Sequence, residues 1–164
     1  MSAAGTELPP LMIELAVGRA VAAYEGEPGA LLPVLHQVQA ELKWLPPAAL
    51  TSVAAALNLS RADVHGVVSF YHDFRTKPPG ALVVKVCRAE ACQARGSDAL
   101  VAYAEKRLCT AMHSTRADGG VTLEPVYCLG NCALGPSVLV DGELAGRVTP
   151  ARFDALVIGV EGAP

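Results

Sequence analysis

Apolar side chains recur three to four residues apart along the first 75 residues, which is the spacing of one face of a helix. Two such stretches are 11–21 and 31–42, and the second has its polar residues off the apolar stripe. Pro46 begins a third predicted helix, because proline is tolerated in a first helical turn. Ser60 begins a fourth, since a serine followed three residues later by an acid resembles a capping box. The predicted stripe of this fourth helix consists of Val64, Val67, Val68, Tyr71 and Phe74.

The pattern changes after residues 76–80, whose Thr-Lys-Pro-Pro-Gly composition is typical of a linker. Residues 81–86 form a short β-branched run that predicts a buried strand ending at Cys87. A helix is predicted over 97–108, with Ser97 as its cap, and residues 121–126 predict a second strand that leads to Cys128.

The last part of the chain predicts a hairpin and a helix. Asp141 and Gly142 favour the tight turn of a hairpin between flanking apolar residues, and Pro150 opens a final helix. The order β-α-β-β-α is typical of a small thioredoxin-like α/β layer. The predicted fold class is therefore α+β or α/β, with a helical region over 1–75, a linker over 76–80 and a thioredoxin-like domain over 81–164.

Composition excludes several classes of protein. Of the 164 residues, 52% are hydrophobic and 18% are charged, which excludes an intrinsically disordered chain. Thirteen Lys and Arg against sixteen Asp and Glu give a net charge of −3. No basic field is available for a nucleic acid backbone, so we expect no nucleic acid partner.

The beginning of the chain does not have the pattern of a targeting segment. Four acidic residues and only one basic residue, Arg19, occur in the first thirty positions, whereas a signal peptide begins with positive charge and a transit peptide avoids acids. The apolar runs are shorter than the ~20 residues needed to cross a bilayer. We therefore expect a cytoplasmic protein without direct membrane insertion.

Five cysteines are the main candidates for chemistry. Cys87 and Cys92 form a C-x4-C pair, Cys128 and Cys132 form a C-x3-C pair, and Cys109 stands alone. An odd number of cysteines fits a secreted disulfide framework badly. Each pair follows a predicted strand, so the two loops can face each other across one ion or cluster. Cys109 ends an apolar helical face and is predicted to be a small buried residue.

The spacing alone leaves three kinds of site open. Four thiolates suit either tetrahedral zinc or an iron–sulfur cluster. Zinc sites usually have closer C-x2-C pairs, while the longer loops favour a [2Fe-2S] cluster. A redox-active dithiol is the third alternative, although that class commonly uses C-x-x-C at a helix start. No substrate site or nucleotide-binding motif occurs, so no catalytic residue is predicted.

The nearby histidines and arginines do not decide between these three kinds of site. A Rieske-type site needs two histidine ligands, but His36, His65 and His72 lie in the helical half and His113 is close only to Cys109. Arg88 and Arg95 flank the first pair and can partly offset the negative charge of a cluster, or they are simply solvated. Small residues surround both pairs and allow backbone N–H groups to approach sulfur.

Two segments resemble a known family. The C-x4-C and C-x3-C pairs, the latter within YCLGNCALGP at 127–136, resemble the thioredoxin-like [2Fe-2S] ferredoxins. These are the small iron–sulfur subunits of NADH-dehydrogenase modules in complex I, NAD-reducing hydrogenases and NAD-dependent formate dehydrogenases. The segment VHGVVSFYHDF at 64–74 also matches. The resemblance covers nearly the whole chain and favours the iron–sulfur cluster over zinc.

This resemblance implies a ligand set, a cofactor and a partner. Cys87 and Cys92 would ligate one iron of a [2Fe-2S] cluster, and Cys128 and Cys132 the other. The implied partner is a larger flavin subunit that carries FMN, a [4Fe-4S] cluster and the NAD(H) site. The chain itself would be a non-catalytic electron-transfer subunit.

Three further segments most resemble the gamma subunits of soluble molybdenum-dependent formate dehydrogenases. They are LNLSRADVHG at 57–66, CRAEACQ at 87–93 and VTLEPVYC at 121–128. The implied complex contains a molybdenum cofactor on a catalytic subunit that oxidises formate, and further iron–sulfur clusters that pass electrons to FMN and NAD⁺. The corresponding subunit of complex I or of a hydrogenase is the alternative.

Overall fold

The computed structural model describes residues 8–158 and divides the chain between Pro78 and Pro79 into two compact units. The division lies inside the linker predicted at 76–80, whose boundaries remain a prediction. Across 8–158, every helix is too short or too polar to cross a membrane.

The first unit is helical, as its apolar spacing predicts. Its helices are α1 (Pro10–Ala23), α2 (Leu31–Leu42), α3 (Pro47–Ala56) and α4 (Arg61–Phe70). Their buried stripes meet in one core that contains Ala16, Leu35, Val53 and Val64. Because prolines occupy the first turns of α1 and α3, the missing N–H groups cost these helices no internal hydrogen bond.

The predicted capping box of α4 is confirmed, but the helix ends earlier than its stripe suggests. The N–H of Asp63 donates to Ser60 Oγ at 3.1 Å, and the N–H of Ser60 donates to the Asp63 carboxylate at 3.3 Å. Tyr71 has extended backbone angles, and a turn follows at residues 72–73. The buried Gln39 holds the loop that follows, because its amide donates to the Asp73 carbonyl and accepts from the Arg75 N–H. Phe74 therefore enters the core from a loop.

The second unit is an α/β layer, which confirms the predicted fold class. Its helices are α5 (Glu90–Gln93), α6 (Ser97–Leu108) and α7 (Pro150–Leu156). Its strands are β1 (Leu82–Cys87), β2 (Ser114–Thr115), β3 (Val121–Val126), β4 (Val138–Val140) and β5 (Glu143–Ala145). Over residues 79–158 the strands form one sheet in the order β2-β3-β1-β4-β5. Within this sheet β1 and β3 are parallel to each other, and the remaining neighbours are antiparallel.

The core of this unit lies between the sheet and helices α6 and α7. It buries Val84, Val86 and Leu123 from the strands against Leu108 and Phe153 from the helices. Strands β1 and β3 are parallel, and the chain between them contains helix α6. Because the two strands run in the same direction, they end at the same edge of the sheet. This edge holds both cysteine loops.

Two short elements and one cap differ from the sequence predictions. The pattern does not predict α5 or β2, because one helical turn or two strand residues are too short to show a period. The sequence predicts Ser97 as the cap of α6, but Gly96 is the cap residue. Ser97 is instead fully buried in the first turn of the helix, where its hydroxyl donates to the Cys87 carbonyl.

Candidate metal centre

The first cysteine loop begins where β1 ends and carries its second cysteine on a one-turn helix. Cys87 is the last residue of β1, and α5 begins directly after Ala89. The N–H of Cys92 donates to the Ala89 carbonyl at 2.9 Å, which closes the turn. Both side chains are buried, each residue being 2% exposed.

The second cysteine loop follows β3 and turns through residues with positive φ. Cys128 has a φ of 98°, which is uncommon for a residue with a Cβ, and Gly130 has a φ of 73°. In this turn the N–H of Gly130 donates to Cys128 Sγ at 3.4 Å. A 3₁₀ turn over Cys132–Leu134 then places Cys132 Sγ 3.8 Å from Cys128 Sγ. Both of these cysteines are exposed.

Parallel pairing of β1 with β3 brings the two loops together. Cys87 lies opposite Val126 in the register, and the Arg88 N–H donates to the Val126 carbonyl at 2.8 Å. The backbone of Cys128 and Leu129, in the second loop, contributes to lowering the pKa of the Cys87 thiol in the first. The structure therefore brings all four predicted site cysteines to one edge of the sheet.

The sulfur separation of the exposed pair fits two ligands of one metal. Two sulfurs that are each about 2.3 Å from one tetrahedral metal lie about 3.8 Å apart, which is the separation of Cys128 and Cys132. Within residues 8–158, no three Cys, His, Asp or Glu side chains converge closely enough to hold a single ion. The backbone N–H groups that point at sulfur are typical partners of iron–sulfur clusters.

Comparison with known proteins identifies the family. The sequence profile described as "Thioredoxin-like [2Fe-2S] ferredoxin" matches residues 17–161, which is most of the chain. The chain belongs to the thioredoxin-like [2Fe-2S] ferredoxin family. This membership supports one [2Fe-2S] cluster as its cofactor and electron transfer as its chemistry, and it confirms the predicted resemblance.

Relatives of this ferredoxin include subunits of NADH-quinone oxidoreductases. It is 34% identical to an NADH-quinone oxidoreductase subunit of Pseudomonas aeruginosa over 127 residues, which cover 77% of this chain and 76% of the relative. It is 33% identical to the subunit of the same name from Escherichia coli K12 over 134 residues, covering 82% of this chain and 81% of the relative.

A solved structure with the same fold is an "NAD+-reducing [NiFe]-hydrogenase in the air-oxidized state". The TM-score is 0.69 at 26% sequence identity. The match covers 79% of this ferredoxin but only 22% of the hydrogenase chain, so it compares the ferredoxin with about a fifth of that protein.

The protein environment shifts the pKa values of three thiols of this ferredoxin in different directions. Burial of Cys87 acts to raise its pKa, but hydrogen bonds from the backbone of Ala89, Cys128 and Leu129 and from the Cys92 thiol outweigh burial and lower the pKa. Burial and the Cys87 thiol raise the pKa of Cys92. The neighbouring Cys128 thiol raises the pKa of Cys132. The backbone thus stabilises negative charge on the Cys87 sulfur, and a bound metal would favour thiolates at all of its ligands.

One prediction about the cysteines is wrong, because Cys109 is exposed. Leu108 is the last residue of the apolar face, and Cys109 follows it as the C-cap of α6 with a φ of 50°. This left-handed turn moves the side chain away from the core. The Cys109 thiol contacts only the Lys106 carbonyl, at 3.7 Å, among the hydrogen bonds of the described residues.

The flanking residues have different roles in the structure. Arg88 forms an ion pair with Asp98 at 3.2 Å, and its Nε is buried without a hydrogen-bond partner in residues 8–158. Arg95 is exposed. His113 is exposed in the turn before β2, and the other histidines belong to the helical unit, where they are also exposed.

Sequence reasoning did not find the groups that contact the sulfurs. These groups are mostly backbone N–H groups, of Ala89, Cys128, Leu129, Gly130 and Ser137. A backbone N–H has the same chemistry in every residue except proline, so only the turn geometry selects it. The small residues around both pairs are the only sequence signal for such contacts.

Replacing Gly135 by alanine is expected to disturb the buried cysteine pair. A Cβ at this position would lie 3.2 Å from Cys92 Sγ and 3.0 Å from Arg95 Cδ. Either the sulfur or the loop must move, so we expect roughly tenfold weaker cluster retention, at the lower end of the 10–100-fold range for disturbed outer-shell partners. Iron and acid-labile sulfide per chain, measured after dialysis against a chelator, test this expectation.

Gly66→Ala is the matched control for Gly135→Ala. Gly66 lies within α4, and a Cβ there meets no atom within 4 Å. Alanine is also the better helix former, so this variant should keep its cluster and gain up to about 1 kcal/mol of stability. Equal cluster retention in both variants would contradict the packing role of Gly135.

Proposed function

We propose that this ferredoxin is the [2Fe-2S] electron-transfer subunit of a cytoplasmic NAD-dependent formate dehydrogenase complex. In that complex it exchanges electrons with the FMN of a partner flavin subunit, while a molybdenum-containing subunit oxidises formate. The observation that carries the proposal is the meeting of two thiol pairs at one sheet edge, with backbone N–H groups directed at sulfur.

The four cysteines have distinct parts in this proposal. Cys87 and Cys92 hold one iron in the buried part of the site, and Cys128 and Cys132 hold the other iron at the surface. When bound, a [2Fe-2S] cluster accepts and returns one electron. The N–H groups around Cys87 stabilise the negative charge of the sulfurs, and burial of the first pair keeps water away from it.

The exposed pair marks the face through which we propose electrons pass to the partner. Tyr127 precedes Cys128 and is 71% exposed, and Leu134 follows Cys132 and is 39% exposed. Exposed apolar side chains beside exposed ligands are typical of a surface that another protein covers. The flavin subunit is the partner proposed for this face.

The proposal that formate is the electron source rests on three segments, at 57–66, 87–93 and 121–128. These segments resemble the gamma subunits of molybdenum-dependent formate dehydrogenases. The segment CRAEACQ at 87–93 resembles these gamma subunits, whereas complex I members commonly carry a different loop between the first two cysteines. The competing proposal is the equivalent subunit of complex I, favoured by the 34% identity to the Pseudomonas aeruginosa NADH-quinone oxidoreductase subunit. The fold shared with an NAD-reducing hydrogenase favours a third assembly.

The experiment that tests the cofactor is metal analysis with spectroscopy of the purified chain. We expect two irons and two acid-labile sulfides per chain. Reduction should give a rhombic electron paramagnetic resonance signal of one [2Fe-2S] cluster. One zinc per chain without iron or sulfide would overturn the cluster and favour a structural zinc module.

The experiment that tests the assembly is purification of the intact complex from its source cells by a tag on this chain. We expect molybdenum and FMN in the complex, together with formate-dependent reduction of NAD⁺. A complex that instead oxidises NADH with quinone, or reduces NAD⁺ only with hydrogen, would replace formate dehydrogenase by the corresponding alternative.

A further inference from the structure

One buried residue, Ser137, is hydrogen-bonded to both cysteine loops. Its hydroxyl oxygen accepts from the Asn131 side chain, with 3.2 Å between Asn131 Nδ2 and Ser137 Oγ. Asn131 directly precedes Cys132 in the second loop. The Ser137 carbonyl accepts from the Cys87 N–H at 3.0 Å, where the first loop begins. Ser137 therefore connects the residue beside Cys132 with the backbone of Cys87.

Gly146 provides the space that the Asn131 amide occupies. A Cβ at position 146 would lie 2.6 Å from Asn131 Nδ2 and 2.9 Å from the Leu134 carbonyl oxygen. The same carbonyl accepts from the Arg147 N–H. Asn131 is half-buried, so its amide is both hydrogen-bonded and closely packed against the backbone of Gly146. These contacts fix the part of the second loop that carries Cys132.

The cysteine sulfurs are arranged as separate pairs and do not form one tetrahedral group. Around a single tetrahedral zinc ion, every two of four sulfurs would lie about 3.8 Å apart. Cys128 and Cys132 have this separation. In the part of the chain that the structure describes, no third Cys, His, Asp or Glu joins them closely enough to hold the same ion. A single zinc ion with four sulfurs would therefore require the two loops to move together, whereas a [2Fe-2S] cluster takes one sulfur pair at each iron.

We propose that Asn131 is a positioning residue that makes the site selective for a two-iron cluster over a single zinc ion. The proposal rests on ligation by the four cysteines, which is part of the proposed function. The bond from Asn131 to Ser137 keeps the exposed pair from closing on the buried pair. Without this bond the second loop can close, because Gly130 within it has access to more backbone conformations than other residues have.

Asn131→Leu tests the proposal, because leucine has nearly the shape of asparagine but forms no hydrogen bond. The metal-free, reduced chain is titrated with zinc in competition with a chromophoric chelator. We expect zinc to bind about tenfold more tightly than in the wild type, a change at the lower end of the 10–100-fold range typical of outer-shell partners. A loop that is merely damaged would bind zinc more weakly. Equal or weaker zinc binding would overturn the proposal.

Variants of Ser137 separate selectivity from stability. Asn131→Leu leaves the buried Ser137 oxygen without its donor, which lowers the free energy of unfolding, whereas replacing both partners removes much of that cost. The double variant Asn131→Leu/Ser137→Ala should therefore regain stability in urea unfolding while its zinc affinity stays raised. Ser137→Ala alone, the smaller change, should also bind zinc more tightly than the wild type. Zinc affinity that returns to the wild-type value together with stability would overturn the proposal.

Asn58→Leu is the matched control in the helical unit. Asn58 follows α3 with a φ of 53°, a conformation that leucine rarely adopts, so this variant should also lose stability. Its zinc affinity should equal that of the wild type, since Asn58 lies outside the unit that carries the cysteines. Tighter zinc binding in Asn58→Leu would attribute the effect to general destabilisation and overturn the proposal.

Failure of this proposal and failure of the proposed function give different results. A wild-type chain that is purified with one zinc and without iron or sulfide would overturn the proposed function. A wild-type chain that carries iron and sulfide, but whose zinc affinity does not rise in Asn131→Leu or Ser137→Ala, would overturn the role of Asn131 alone.

Discussion

Replacing Cys132 by alanine is expected to remove most of the iron and sulfide from the purified ferredoxin. The change takes away one sulfur of the exposed pair and leaves Cys128 without its neighbour at 3.8 Å. Loss of a ligand should exceed the roughly 10–100-fold loss of metal affinity that follows from changing an outer-shell partner. Visible absorption and iron analysis after anaerobic purification measure the result.

Cys109→Ala is the matched control, since it removes the fifth thiol and leaves the proposed ligands in place. Cys109 is exposed at the end of α6, and alanine retains the Cβ that this left-handed position already tolerates. The cluster spectrum should be unchanged. An intact cluster in Cys132→Ala, or a lost cluster in Cys109→Ala, would show that a different set of cysteines holds the iron.

Truncating Phe153 to alanine is expected to have the largest effect on stability. Phe153 is fully buried in α7, and its ring packs edge-on against Tyr103 with centroids 6.2 Å apart. Removing a buried phenylalanine side chain costs about 3–5 kcal/mol, since the cavity refills only in part. The free energy of unfolding of a domain is typically only about 5–15 kcal/mol. The second unit of this variant should therefore be only marginally stable.

Phe70→Ala makes the same substitution at a surface position. Phe70 is 73% exposed, so its loss should change the free energy of unfolding by less than about 1 kcal/mol. Urea unfolding followed by circular dichroism measures both variants. Trp44, the only tryptophan of the chain, lies in the helical unit and its fluorescence identifies the transition of that unit. Equal destabilisation by the two variants would contradict the assigned core.

Much of the fold could be predicted because its elements are long enough to show a period. The helices at 31–42 and 97–108 and the strands at 82–87 and 121–126 have nearly the predicted bounds. The prediction failed where tertiary contacts override the local pattern. Gln39 holds the loop after α4 through Asp73 and Arg75, and Cys109 lies in a left-handed turn outside the core.

The candidate site was predictable in its chemistry and less so in its geometry. Residue type and spacing indicated that Cys87, Cys92, Cys128 and Cys132 follow strand ends, and the parallel pairing of β1 and β3 brings those ends together. The spacing contains no sign that one pair is buried and the other exposed. It also contains no sign that the Ser97 hydroxyl holds the Cys87 carbonyl.

Local periodicity and side-chain chemistry were enough to establish which side chains carry sulfur, where the strands and helices lie, and which family the cysteine motifs resemble. The folded arrangement was needed to establish which N–H groups face each sulfur and which thiols reach the surface. Those features depend on the pairing of residues far apart in the chain and on the direction of individual peptide groups, and neither leaves a trace in the local pattern.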